Sequence, residues 1–250
     1  MTTSAGSPAP RSLVHVLEHD VPAPSGNYRW VYMWHWPIRA MHWAAGVSIL
    51  VLILTGFAIG RPYFFPQGQI SGGYFVGWMR FLHFLAAGVL VATAIVRVYW
   101  LVAGNKYERF PALFPVRKRD WINLFQQVKF YLMIHPERAP HYIGHNPLQQ
   151  FAYTTVYLIG LVMAITGFAM YGQSNPGGLI RAMTLWVPQL FGGMQVVRLV
   201  HHVLTWFFLI FVPIHIYLAI RADLLERGGT ISSIISGGRF VPKDKEFIDG

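Results

Sequence analysis

Residues 199–220 have the sequence LVHHVLTWFFLIFVPIHIYLAI, which contains no Asp, Glu, Lys or Arg. A hydrocarbon layer about 30 Å thick is crossed by a helix of roughly 20 apolar residues, so this stretch is long enough to span a membrane. It also contains His201, His202 and His215. Ionisable side chains are costly inside a bilayer and commonly mark a functional site. This stretch therefore predicts both a membrane protein and the place to look for its chemistry.

Three other apolar stretches meet the same length criterion, and they predict spans at about 41–60, 81–101 and 148–171. Only 12% of the 250 residues are charged whereas 54% are hydrophobic, which is typical of a chain that folds in lipid. We therefore predict an all-α, integral membrane four-helix bundle within residues 31–225. Residues 1–30 are predicted to form a flexible cytoplasmic tail and residues 226–250 a second cytoplasmic tail.

The distribution of Lys and Arg predicts the orientation of the bundle. Three basic residues precede the first span, seven lie between the second and third spans, and five follow the fourth, whereas the other two connections hold two each. The positive-inside rule then places both termini in the cytoplasm. The formal charge of +10 is spread over these segments, so it indicates topology rather than nucleic-acid binding.

Histidines are distributed over the spans in a pattern that indicates a metal cofactor. The chain has no cysteine, which excludes disulfides, thiolate-bound iron–sulfur clusters and covalently attached c-type haem. His201 and His215 are 14 residues apart, so they share one face of a helix about 21 Å apart along its axis. His202 points roughly 140° away from His215 and is predicted to be a bystander.

Alternating span directions pair the histidines by depth, His83 with His201 near the outer surface and His42 with His215 near the inner one. Two such pairs suit two haem irons, each bound by two imidazoles. Small residues near the first two histidines would leave room for a porphyrin; they are Gly46, Gly88, Ala44, Ala45, Ala86 and Ala87. The alternative is that these histidines only form hydrogen bonds between helices.

Arg39, Arg80 and Arg198 each precede a predicted ligand by three residues, where a guanidinium could pair with a haem propionate. The alternative role, equally favoured, is that of arginines that set topology or extend to the interface.

A quinone site is predicted near the inner end, with His145, Asn146 and His135 as candidates for hydrogen bonding and proton transfer. For Asn146 a helix cap is the favoured alternative because Pro147 follows it. His35 lies in the tail and is predicted to be solvated.

No internal repeat stands out, but one short segment recurs. Leu54-Thr55-Gly56-Phe57-Ala58 in the first span is echoed by Ile165-Thr166-Gly167-Phe168-Ala169 in the third. Both segments are predicted to lie near the outer end of the bundle.

Several motifs occur in the order of a known family. They are Arg39-Ala40-Met41-His42-Trp43 with Leu54-Thr55-Gly56, Arg80-Phe81-Leu82-His83-Phe84, Gly144-His145-Asn146-Pro147-Leu148, and Arg198-Leu199-Val200-His201-His202 with Trp206, Phe211 and His215. Over about residues 30–241 the chain thereby resembles the b-type cytochrome subunit of membrane-bound nickel–iron hydrogenases, which is related to the formate dehydrogenase gamma subunit. Leu199 and Trp34-His35-Trp36 depart from the usual pattern.

The resemblance implies His42, His83, His201 and His215 as axial ligands of two haem b groups. It also implies a hydrogenase small subunit as partner, and through it the large subunit, with electrons passing inward to a quinone. Such a chain is an electron-transfer subunit rather than an enzyme on its own. Two alternatives share the bundle, the cytochrome of a formate dehydrogenase and a free-standing quinone-linked cytochrome b. A haem-free membrane anchor or transporter is the alternative from a different class.

Overall fold

The computed structural model describes residues 27–60, 74–115, 118–131, 141–226, 228–243 and 247–249. In chain order its elements are β1 (Tyr28–Tyr32), α1 (Trp36–Gly60), α2 (Phe75–Ala103), α3 (Phe110–Leu113), α4 (Lys118–Tyr131), α5 (Pro147–Gly172), α6 (Leu179–Thr184), α7 (Trp186–Phe191), α8 (Met194–Glu226), α9 (Thr230–Ser236) and β2 (Gly238–Pro242). Four of them, α1, α2, α5 and α8, are long and apolar enough to cross a membrane. This is the architecture of a multi-pass membrane protein, as the apolar stretches predict.

The outer faces of these four helices are apolar. Leu54, Leu158, Leu161 and Ile210 are all more than half exposed, and many other large apolar side chains are exposed with them. In water such a surface would cost about 25 cal/mol for each Å² of apolar area. Lipid removes that cost, so the exposed apolar surface supports a membrane environment for the bundle.

The four long helices form two hairpin-like halves. α1 packs along α2, α5 packs along α8, and the halves meet where α1 approaches α8. The short helices α3 and α4 pack against α5, and α6 and α7 pack near its far end. Because the halves touch along so little of their length, space remains between them.

At the start of α5, Asn146 and Gln149 form a reciprocal cap. The Asn146 side chain accepts a hydrogen bond from the Gln149 backbone at 2.9 Å, and the Gln149 side chain accepts one from the Asn146 backbone at 3.0 Å. The two bonds satisfy backbone donors that would otherwise lack partners in the first turn. The helix-cap interpretation of Asn146 is thereby confirmed.

We call the end of the bundle that carries β1, β2, α3, α4 and α9 the basic end. There β1 and β2 pair antiparallel, with Tyr28 opposite Pro242 and Tyr32 opposite Gly238. Beneath them lies a buried apolar cluster, which consists of Met33, Trp34, Tyr107, Ile143 and Val241. The segment predicted as a C-terminal tail therefore contains ordered elements that pack against the N-terminal strand.

A buried carboxylate joins the chain before α1 to the chain after α2. The Glu108 side chain, 0% exposed, accepts hydrogen bonds from the His35 backbone at 2.6 Å, His35 Nδ1 at 2.7 Å, and both Trp100 Nε1 and the Asn105 backbone at 3.0 Å. Burial alone would raise the pKa of Glu108, but these hydrogen bonds outweigh it and hold that pKa below its ordinary value. The sequence predicts a solvated His35; the structure instead ties it to Glu108.

We call the end that carries α6 and α7 the opposite end. A second buried cluster there joins α5, α7 and α8 through Ala169, Val187 and Val197. The two ends are thus closed by separate clusters, and the middle of the bundle is held mainly by contacts between neighbouring long helices.

Candidate haem-binding site

One large cavity runs between the four long helices and has a volume of about 3590 Å³. Ordinary small-molecule pockets occupy roughly 300–1,000 Å³, so this space could hold more than one large planar group. All four predicted ligands line it: His42 comes from α1, His83 from α2, and His201 and His215 from α8. Its walls are otherwise mostly apolar.

His42 and His215 face each other toward the basic end. Their ring centroids are 6.2 Å apart and their planes are inclined by 50°. An imidazole nitrogen binds a transition metal at about 2 Å and lies a little over 1 Å from its ring centre, so two imidazoles on opposite sides of one ion have centroids roughly 6–6.5 Å apart. The spacing of this pair fits one metal ion with two axial imidazoles. Phe211 stacks on His215 at 5.6 Å and restricts the rotation of its ring.

His83 and His201, the second predicted pair, both line the cavity toward the opposite end. Each has a threonine hydroxyl at its Nδ1. Thr55 Oγ1 is 2.9 Å from Nδ1 of His83, and Thr166 Oγ1 is 2.8 Å from Nδ1 of His201. A hydrogen bond at Nδ1 leaves Nε2 as the nitrogen available to a metal.

His202 differs from its neighbour in both direction and partner. Its Nδ1 lies 2.7 Å from the backbone oxygen of Arg198, one turn earlier in α8. A Cβ built on Gly60 would lie 3.0 Å from its Nε2, so the ring packs against the end of α1. His201 instead packs against Gly167 of α5, where the corresponding distance is 3.3 Å to Cε1. The two histidines thus contact different helices.

Glycines on three helices open onto the cavity. A Cβ built on Gly46, Gly88 or Gly160 would meet no atom within 4 Å, and all three glycines line the cavity. Flat apolar walls of this kind suit a porphyrin ring, whose faces need helices without protruding side chains. The residues present therefore fit haem.

The four alanines predicted to make room divide between two surfaces. Ala45 and Ala87 line the cavity, whereas Ala44 and Ala86 line a groove between α1 and α2. Successive residues of a helix are separated by about 100°, so adjacent alanines cannot serve the same surface. Ala44 and Ala86 instead allow α1 and α2 to pack closely.

Two of the three predicted propionate partners line the cavity, and the third does not. Arg80 and Arg198 line the cavity, and Arg198 donates a hydrogen bond to Gln195 Oε1 at 3.3 Å. Arg39 instead donates to the backbone oxygen of Ile235 in α9. It thereby joins α1 to the C-terminal segment, and its propionate role stays a prediction.

Polar groups line the cavity at the basic end. His145 lies against the rings of Trp34 and Tyr153, and its Nδ1 is buried without a hydrogen-bond partner among the described residues. Burial and the nearby Arg97 charge lower the pKa of His145 to about 3, so its ring is neutral at pH 7. Arg97 donates to the Tyr157 hydroxyl and the Glu108 backbone, while its Nη1 is buried without a partner in the described part of the chain. His135 lies outside the described residues.

The sequence comparisons agree with this geometry. A family model described as prokaryotic cytochrome b561 matches residues 33–237. This chain belongs to that family. The matched segment contains both histidine pairs, both threonines and His145, so most of the cavity described above lies within the family's domain.

Curated relatives cover most of the chain. A protein of Azotobacter chroococcum mcd 1 is 40% identical over 86% of this chain and 90% of its own length. One of Cupriavidus necator is 37% identical over 83% and 86%, and one of Escherichia coli K12 is 31% identical over 83% and 90%. The first two are named "Probable Ni/Fe-hydrogenase B-type cytochrome subunit", and the third carries the same name for hydrogenase 1. The resemblance found from the motifs is confirmed.

Several residues at the site were not predicted from the sequence. Thr55 and Thr166 contact the histidines through the recurring Thr-Gly segments, which the sequence shows without indicating what they touch. Gly160 has no nearby histidine in sequence, so only its position in the bundle reveals its role. Arg97 follows His83 by 14 residues, the same spacing that separates His201 from His215. That periodicity could have identified Arg97 as a residue on the cavity side of α2.

Proposed function

We propose that this chain is the dihaem b-type cytochrome subunit of an uptake nickel–iron hydrogenase and carries electrons from the periplasmic small subunit to a quinone. The observation that carries the proposal is the presence of two cross-helix histidine pairs in one cavity whose walls are opened by glycines. The names of the relatives supply the hydrogenase partner.

His83 and His201 would hold one haem b, and His42 and His215 the other. When bound, haem supplies a reversible one-electron carrier. With two imidazoles for each iron, no coordination position would remain for oxygen, so the chain's histidines would restrict the site to electron transfer. The apolar walls would keep water out of the space between the pairs, and Arg80 and Arg198, which line the cavity, would neutralise carboxylates at the opposite end.

The basic end is the proposed site of quinone reduction. A neutral imidazole offers one donor and one acceptor, so His145 is suited to hydrogen-bond a quinone or quinol oxygen. Because its pKa is about 3, His145 is a poor store of protons at neutral pH and acts in this proposal as a positioning group. Asn146 is already engaged as a helix cap, which weakens its candidacy, and His135 remains a sequence-based candidate.

We further propose that the basic end faces the cytoplasm of a bacterial inner membrane. The connections there carry most of the Lys and Arg residues, as the positive-inside rule requires. The opposite end would then face the periplasm, where the hydrogenase small subunit and its anchor helix would dock, with the large subunit bound through the small one. Protons for the quinone would be taken up on the cytoplasmic side, so electron transfer would separate charge across the membrane.

The test uses native membranes that contain the complete hydrogenase complex. Hydrogen should reduce b-type haem and then a water-soluble quinone analogue. His201→Ala should remove one of the two haems and abolish quinone reduction. His202→Ala is the matched control and should leave both intact, because His202 packs on Gly60. Equal losses in the two variants would overturn the ligand assignment. Reduction by formate but not by hydrogen would instead identify a formate dehydrogenase cytochrome.

A further inference from the structure

Two threonines stand in equivalent positions beside the His83–His201 pair. Thr55 of α1 contacts His83 of α2, the next long helix, and Thr166 of α5 contacts His201 of α8, again the next long helix. Thr55 is 4% exposed and Thr166 is 0% exposed. The segment that recurs in the sequence therefore makes the same threonine–histidine contact in both halves of the bundle.

The glycine after each threonine completes this contact. A Cβ on Gly56 would lie 3.5 Å from Cε1 of His83, and one on Gly167 would lie 3.3 Å from Cε1 of His201. Each imidazole thus lies against a Thr-Gly pair, with its Nδ1 edge at the hydroxyl and its Cε1 atom over the glycine. Both rings are held in the same way.

The direction of each hydrogen bond follows from the helix backbone. Thr55 Oγ1 donates its proton to the Val51 carbonyl at 2.6 Å, and Thr166 Oγ1 donates to the Val162 carbonyl at 2.7 Å. A hydroxyl has one proton, so each oxygen can only accept from the neighbouring imidazole. The protonated nitrogen is then Nδ1, and Nε2 carries a lone pair.

We propose that Thr55 and Thr166 are positioning residues that fix the tautomer and ring orientation of His83 and His201 and thereby set the reduction potential of the haem between them. This inference rests on the proposed function for the haem itself. Accepting the Nδ1–H increases the basicity of the imidazole, which stabilises ferric iron over ferrous iron. Both histidines proposed to hold this haem would receive this effect, so the two threonines would act together.

The other histidine pair lacks these contacts. Within the described part of the chain, neither His42 nor His215 has a hydroxyl hydrogen-bond partner. The two halves of the bundle also differ in sequence at this pair. The residue 14 positions after His201 is the proposed ligand His215, whereas the residue 14 positions after His83 is Arg97. The threonines therefore distinguish one haem from the other.

The test is a potentiometric titration of haem absorbance in the purified hydrogenase–cytochrome complex, with electron paramagnetic resonance of the oxidised haems. Thr55→Val and Thr166→Val should each raise the midpoint potential of one haem component and shift the g values of that same component. The Ser variants at both positions should keep the wild-type values. Thr155→Val is the matched control, since Thr155 makes the same bond to the carbonyl one turn earlier, Phe151, at 3.0 Å.

Unchanged potentials and g values in Val variants that retain two haems would overturn the inference and leave the proposed function standing. Loss of one haem in the Val variants alone, with Ser variants unaffected, would support it, whereas equal effects of Val and Ser would contradict it. Wild-type complex without two b-type haems would overturn the proposed function and this inference with it.

Discussion

The rings of His42 and His215 lie 6.2 Å apart although the two residues are 173 positions apart in the chain. α1 and α8 carry them, and these helices become neighbours only after the chain has passed through α2 and α5. A group bound by both rings would connect the first and last long helices. We therefore expect cofactor binding to stabilise the assembled bundle, because a ligand that binds only the folded state shifts the equilibrium toward it.

Filling the cavity wall should prevent the binding of one of the two haems. Gly88→Leu places a large side chain where a Cβ now meets nothing within 4 Å, so we expect bound haem to fall by about half while the chain remains in the membrane. Gly77→Leu is the control, because Gly77 is also open but does not line the cavity. Haem quantified per purified chain is the measurement. Equal haem content in the two variants would show that the glycine wall is not the porphyrin surface.

The stability of the chain should depend on His145 at mildly acidic pH. The pKa of His145 is about 3 in the folded chain and about 6.5 when unfolded, so the unfolded state takes up the proton first as the pH falls. Stability is therefore complete above about pH 6.5 and is lost progressively below it. Wild-type protein in detergent should lose more thermal stability between pH 7.5 and pH 5.5 than His145→Gln.

The control for this comparison is His141→Gln, since His141 is exposed near the same loop. It should show the wild-type loss. If His145→Gln also loses as much thermal stability as the wild type, the ring is not held neutral by burial.

Glu108→Gln should destabilise the basic end. The amide replaces one acceptor oxygen by a donor that faces the donors of His35, Trp100 and Asn105, and a buried unsatisfied donor costs about 1–3 kcal/mol. We expect a lower unfolding midpoint in detergent at pH 7, with Asp223→Asn as control because Asp223 accepts one bond at 3.3 Å. The difference from wild type should shrink as the pH falls through the lowered pKa of Glu108. A constant difference would contradict the ionised state.

The proposed orientation can be tested with single cysteines, because the natural chain has none. Ser174 at the opposite end and Ser232 in α9 at the basic end are both exposed. A membrane-impermeant maleimide added outside spheroplasts should label Ser174→Cys and leave Ser232→Cys unlabelled. Labelling after the cells are lysed confirms that both thiols are reactive. The reverse pattern would invert the topology.

Apolar length and charge predict the four long helices but understate their extent. α2 begins at Phe75 and continues through Arg80, and α8 runs from Met194 to Glu226. The length rule counts only residues that must lie in hydrocarbon, whereas backbone hydrogen bonding continues into the interface. The β1–β2 ribbon was not predictable, because its pairing joins segments more than 200 residues apart.

Helical periodicity predicts which histidines share a face. The structure brings His42 to His215 and places His83 and His201 in the same cavity. Periodicity does not predict what touches a ring from another helix. The Thr166 contact with His201 depends on the rotation of α5 against α8, which one sequence does not specify. Residues that face the cavity, such as Gly160, become identifiable only when all four helices are in place.

The most direct test is the haem content of the purified chain, measured by the pyridine method together with its reduced-minus-oxidised visible spectrum. The proposed ligands predict about two b-type haems for each wild-type chain and about one for His215→Ala, which removes only the pair at the basic end. A wild-type chain without haem after gentle extraction, or a His215→Ala variant with the wild-type content, would contradict the assignment of these histidine pairs.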